Sequence, residues 1–93
     1  MMKELNPTIK CQDGFTMSVQ GSQFSYALPR EDDPTDGYTH VECGFPSSTP
    51  VTPALLDYAE YGNNEGIYPY TPVEVVQAEL DAHGGIATGC LPS

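Results

Sequence analysis

The opening third of the chain alternates between apolar and polar positions. In TIKCQDGFTMSVQ (8–20), Ile9, Cys11, Phe15, Met17 and Val19 are interleaved with polar residues on both sides of Asp13-Gly14. Alternation with period two marks strands, and Asp-Gly between two such runs marks a β-hairpin. A two-residue loop would pair Cys11 with Thr16 and set the apolar face of one strand beside the polar face of the other. A three-residue loop, Gln12-Asp13-Gly14, instead pairs Cys11 with Phe15 and Ile9 with Met17, so that every apolar residue shares one face. The hydrophobic register selects this loop, a type I turn with Gly14 left-handed in a G1 bulge.

Gly21 interrupts the pattern, and SQFSYAL (22–28) resumes it with Phe24, Tyr26 and Leu28 on one face. PREDDPTDG (29–37) carries two prolines, a glycine and four carboxylates, the composition of an exposed loop. YTHVECGF (38–45) reads as a fourth strand, with Thr39, Val41, Cys43 and Phe45 inward and Tyr38, His40 and Glu42 outward. Four successive strands favour an antiparallel meander.

Helical punctuation follows. Thr52-Pro53 predicts the start of a short helix over about 54–61, with Leu55, Tyr58 and Ala59 as its packing stripe and the Gly62–Gly66 segment as its end. Residues 67–70 read as extended, and Pro69 restricts them to an edge strand or a strapped-down segment. Thr71-Pro72-Val73-Glu74 has the form of a capping box, and Val73, Val76 and Leu80 form one apolar helical stripe. Gly84-Gly85 stops this helix, with His83 placed to complement the helix dipole in its last turn. The expected fold class is α+β: an antiparallel sheet of three to five strands, with one short and one well-capped helix packed on one face. Residues 1–93 are expected to form one domain, with loosely ordered ends at 1–7 and 87–93.

Charge changes the picture most. Thirteen acidic residues face three basic ones, Lys3, Lys10 and Arg30, for a formal charge of −10. A nucleic-acid binder that tracks phosphates needs clustered Lys and Arg, and an anionic membrane would repel this chain. Two readings of the acidity remain: solubility, and attraction to a basic partner. No targeting segment or membrane span is evident, so a cytoplasmic location is expected.

Candidate chemistry is sparse. Cys11, Cys43 and Cys90 are widely spaced and read as free thiols in a reducing compartment. His40 and Cys43 would point to opposite faces of a strand, and two inward thiols are too few for structural zinc. His83 reads as a helix-end residue rather than a base. No nucleophile elbow, metalloprotease motif or phosphate loop occurs. No enzyme activity, cofactor or metal is therefore expected. What stands out is an acidic run beside tyrosines. Glu31, Asp32, Asp33 and Asp36, with outward Tyr38 and Glu42, form one candidate partner-binding surface. Tyr58, Tyr61, Tyr68 and Tyr70 form a second. Tyrosine serves protein interfaces well, but it also supplies bulk to a small core that lacks tryptophan.

On the segments IKCQDGFTMSVQ, YTHVECGFPS and YPYTPVEVVQAELDAHGGI, the chain resembles a group of small bacteriophage proteins of unassigned function. The resemblance covers about half the chain and brings no known site residues with it. It implies an accessory role in the host cytoplasm: inhibition of a host defence or nucleic-acid-binding protein through an acidic, tyrosine-bearing surface that mimics nucleic acid. The expected partner is then a host protein with a basic surface, bound by a monomer or homodimer. The alternatives are a protein that sequesters a nucleotide signal and a minor structural or assembly component of the particle.

Overall fold

A computed structural model describes residues 5–59 and 66–92. The described elements are β1 (Ile9–Cys11), β2 (Thr16–Gln20), β3 (His40–Gly44), α1 (Pro53–Leu56), β4 (Ile67–Pro72), α2 (Val73–Ala82) and β5 (Ile86–Thr88). The five strands form one antiparallel sheet in the order β4-β3-β2-β1-β5, with the two helices against it, so the α+β class holds.

The hairpin register follows the hydrophobic pattern. Ile9 lies opposite Met17, the Cys11 amide donates to the Phe15 carbonyl at 2.8 Å, and the Gly14 amide donates to the Cys11 carbonyl at 3.0 Å. Gly14 takes φ +95°, as the bulge requires. Ile9, Cys11, Phe15, Met17 and Val19 are all buried on one face of the sheet. Val41, Cys43 and Tyr68 continue this core across β3 and β4, while Val76 and Leu80 from α2 and Leu55 from α1 cover it.

The predicted third strand does not form. Residues 22–25 make a turn in which the Ser25 amide donates to the Ser22 carbonyl and the Phe24 amide donates to the Ser22 hydroxyl. Serine hydroxyls compete well for local backbone groups, and here they win over the ladder. Gly21 marks the departure. A Cβ there would lie 2.7 Å from the Tyr38 ring, so the chain and the ring share space that only glycine leaves open. β3 therefore pairs directly with β2, Val19 opposite Cys43, and the 21–39 segment meets the sheet through a bridge from Leu28 to His40 and a hydrogen bond from the Tyr70 amide to the Tyr26 carbonyl. Ser25 and Ala27 face in, while Phe24, Tyr26 and Leu28 share the exposed side.

Three further expectations are corrected. Tyr38 is buried, whereas Thr39 and Phe45 are exposed, because the strand starts at His40 and ends at Gly44. The capping box at Thr71 is absent. Thr71 is still in β4 opposite Val41, its hydroxyl donates to the Tyr68 carbonyl, and α2 starts directly after Pro72. Residues 86–88 are not tail but the fifth strand, with Lys10 opposite Thr88. The short helix is one turn, Pro53–Leu56, and the part expected over 60–65, with its glycine-rich end, lies outside the described residues.

The edge position expected for 67–70 holds, with one added feature. Two steps along β3, from Val41 to Cys43, match three along β4, from Thr71 to Tyr68, so β4 carries a bulge. Tyr70 sits in it with φ +48° and is turned outward. Bulges re-aim side chains in this way at sheet edges.

Gly14→Val tests the hairpin. Nothing lies within 4 Å of a Cβ at this position, so the cost is purely conformational. A β-branched residue at positive φ is expected to lower stability by about 1 kcal/mol or more in urea denaturation, with the fold retained.

Candidate functional site

Two constellations stand on opposite sides of the sheet. The first is internal. Glu79, fully buried on α2, accepts four hydrogen bonds: from the Val51 amide, the Thr52 amide, the Thr52 hydroxyl and His83 Nε2, at 2.6–2.9 Å. Thr52 thus does not cap α1 with its own oxygen, because Glu79 receives both its amide and its hydroxyl. The other ring nitrogen of His83, Nδ1, lies 2.6 Å from Asp13 Oδ2, and the ring stacks on Phe15 with centroids 3.9 Å apart and planes within 4°. The hairpin turn reinforces the link, since the Gln12 and Asp13 amides donate to the Gly85 and His83 carbonyls. A Schellman pair, Gly85 to Leu80 and Gly84 to Asp81, closes the helix between them.

Both carboxylates are ionised acceptors, so both His83 nitrogens donate and the ring is an imidazolium. Burial opposes its charge, but hydrogen bonds to Asp13 and Glu79 outweigh burial and raise the pKa above the ordinary 6.5. The Phe15 amide, then His83, hold Asp13 below the usual carboxylate value. Glu79 is pushed up by burial and down, more strongly, by Thr52, Val51 and His83. With both nitrogens engaged, His83 offers no free position for acid–base work. It is a clamp, not the simple helix-end residue the sequence suggests. Burial likewise raises the Cys11 and Cys43 thiols, reinforced by nearby carboxylates. No group of three metal-ligating side chains occurs among the described residues, and His40 and Cys43 do point to opposite faces.

The second constellation is on the surface. The Tyr26 and Tyr70 rings lie 5.7 Å apart at a tilt of 37°, and both are exposed. Their backbones are fixed: the Tyr70 amide donates to the Tyr26 carbonyl at 2.9 Å, and the Tyr26 amide donates to Glu42 Oε1 at 3.0 Å. The Arg30 guanidinium sits 5.4 Å over the Tyr26 ring, and its Nε donates to the Gln23 carbonyl. The acidic loop is anchored beside it. Asp32 receives the Gln23 amide and side chain, and the buried Tyr38 donates its hydroxyl to the Glu31 carbonyl. Glu31, Asp33 and Asp36 are left exposed.

The candidate residues thus divide. Glu31, Asp32, Asp33, Asp36, Glu42 and Tyr70 lie on or beside this face. Tyr38 supports the loop from beneath instead of presenting its ring. Tyr68 is fully buried, because it precedes the bulge and points into the core. Tyr58 is exposed after α1, and no ring contact joins it to Tyr70 among the described residues. Tyr61 lies outside the described residues. Tyr26 and Arg30 belong to the face but are not among the candidates read from the sequence, because the strand expected over 22–28 does not form and the loop brings them there.

Comparison with protein-family models, curated proteins and solved structures finds no match to this chain. No helix among the described residues is long and apolar enough to cross a membrane.

The clamp makes stability depend on pH in both directions. The His83 contribution is complete below 6.5, its ordinary pKa, and is lost as pH rises through the raised folded value. The Asp13 and Glu79 contributions are present above their ordinary values of 3.8 and 4.5 and are lost as pH falls through the depressed folded ones. Urea midpoints are therefore expected to fall between pH 6 and pH 8 in the native chain, and His83→Gln is expected to remove that slope. Glu79→Ala, which strands buried donors and the imidazolium, is expected to cost about 3 kcal/mol or more. A slope unchanged in His83→Gln would assign the pH dependence to other groups.

Proposed function

We propose that the protein is a non-enzymatic interaction protein that docks the face formed by the 22–37 loop, Glu42 and Tyr70 on a basic surface of a partner protein. The observation that carries this reading is the Tyr26–Tyr70 pair. Two aromatic rings stand exposed on a fixed backbone, next to a loop whose carboxylates face solvent. Rigid aromatic side chains give contact area at little entropic cost, and neighbouring charge selects the partner and speeds encounter. A bulky residue at positive φ, as at Tyr70, is uncommon and is retained where the surroundings over-determine it. The finer form of the reading is a phage-type inhibitor in the host cytoplasm, which occupies the nucleic-acid groove of a host defence protein. It rests on the resemblance in the sequence and on the net charge of −10.

Affinity capture from a bacterial host lysate, with variants run in parallel, tests the proposal. The native chain is expected to retain a basic protein and to compete with nucleic acid for it. Changing Glu31, Asp33 and Asp36 to Asn or Gln should slow association at low salt, with the difference shrinking as salt rises. Tyr70→Ala should weaken binding by about tenfold or more, as loss of an interface aromatic does. A captured protein whose binding none of these changes affects would overturn the proposal.

A further inference from the structure

Beside the Tyr26–Tyr70 pair, the open face of the sheet holds a groove of about 220 Å³. Leu5, Phe45 and Ile67 supply apolar walls, and Ser18, Gln20 and Glu42 contribute from the strands. Among the described residues, Glu42 is the only charged one that lines it. Its Oε1 accepts the Tyr26 amide, and no hydrogen bond engages Oε2 among the described residues.

The groove is built rather than incidental. Asn6 and the Gln20 side chain exchange two hydrogen bonds, at 2.7 and 2.8 Å, and Asn6 Nδ2 also donates to the Val19 and Cys90 carbonyls. These fix the segment that carries Leu5, which is nonetheless 82% exposed. Phe45, 72% exposed, is held at φ +53° directly after β3. A bulky aromatic residue is uncommon at positive φ, and this one holds its ring largely in solvent at the groove.

We infer that this groove receives an arginine side chain of the basic partner. The apolar stem would lie against Ile67, Phe45 and Leu5, and the guanidinium would meet the open oxygen of Glu42. Three features select this occupant. Long basic side chains are apolar along the stem and charged at the tip, and the groove has the same order of surfaces. The charge that Glu42 brings to the lining is negative, in a chain of net charge −10. A guanidinium is less strongly hydrated than an ammonium and stacks on aromatic rings, and the chain already places its own Arg30 over Tyr26. This inference rests on the docking reading above and adds to it the partner's anchoring residue.

The test is a ¹⁵N NMR titration of the full chain with Nα-acetyl-arginine amide, and with Nα-acetyl-citrulline amide as a neutral analogue of similar shape. Saturable shifts are expected at the amides of Ser18, Glu42, Gly44 and Ile67. Citrulline should bind about fivefold more weakly, the loss of one exposed charge pair. Glu42→Gln should abolish the preference, and Phe45→Ser should weaken both probes. Equal binding of the two probes by the native chain, or shifts confined to residues 29–37, would overturn the inference. In the capture experiment, a partner released by Tyr70→Ala but held equally by Glu42→Gln would remove the groove assignment and leave the docking face intact. A partner indifferent to both would remove the docking face itself.

Discussion

Four donors converge on the buried Glu79 carboxylate, and three separate parts of the chain meet through it. Val51 and Thr52 bring in the start of α1, His83 brings in the end of α2, and through His83 comes Asp13 at the tip of the first hairpin. Apolar contacts alone are non-directional and would let helix and sheet slide against each other. The hydrogen bonds of this chain of groups are directional, and burying them without partners would cost several kcal/mol. They therefore fix where the helix end sits on the hairpin. In so small a core, that fixed point also sets where β4 enters α2 and where β5 returns beside β1.

How far the sequence could be read follows from which interactions were local. The first hairpin was legible because register, loop length and Gly14 are determined within thirteen residues by one hydrophobic alternation. The α2 stripe of Val76 and Leu80 was legible for the same reason. The third strand was misread because its alternation is real but its neighbour is not: Tyr38, seventeen residues after Gly21, occupies the space beside that glycine. The capping box failed for a similar reason. Thr71 has the right neighbours for a cap, but its backbone is already paired with Val41.

The surface was half legible. Loop composition correctly placed Glu31, Asp33 and Asp36 in solvent, since four carboxylates with two prolines leave few other options. Tyr68, a candidate for the tyrosine surface, is buried, and Tyr26 is exposed on the face instead. Tyr26 lies in the strand that does not form, and Tyr68 is followed by a bulge, holding Tyr70, that no local pattern announces. The clamp did have a signal in the sequence. Glu79 and His83 are spaced i, i+4, the separation at which helix side chains meet, and a carboxylate four residues before a histidine favours its charged form. What the spacing could not reveal is the second carboxylate, Asp13, seventy residues away.

The two constellations use acidic residues in opposite ways, and this separation lets so acidic a chain fold. Asp13 and Glu79 share the one imidazolium, so the buried negative charge is neutralised where desolvation would penalise it most. The remaining carboxylates have few cations to pair with, and crowding them in 29–37 sets like charges against one another. Among the contacts that hold that loop, the Tyr38 hydroxyl on the Glu31 carbonyl and the Gln23 groups on Asp32 carry no charge of their own. Such contacts leave the loop's formal charge intact. A basic surface arriving at Tyr26 and Tyr70 would thus meet a loop that these contacts position while its carboxylates face solvent.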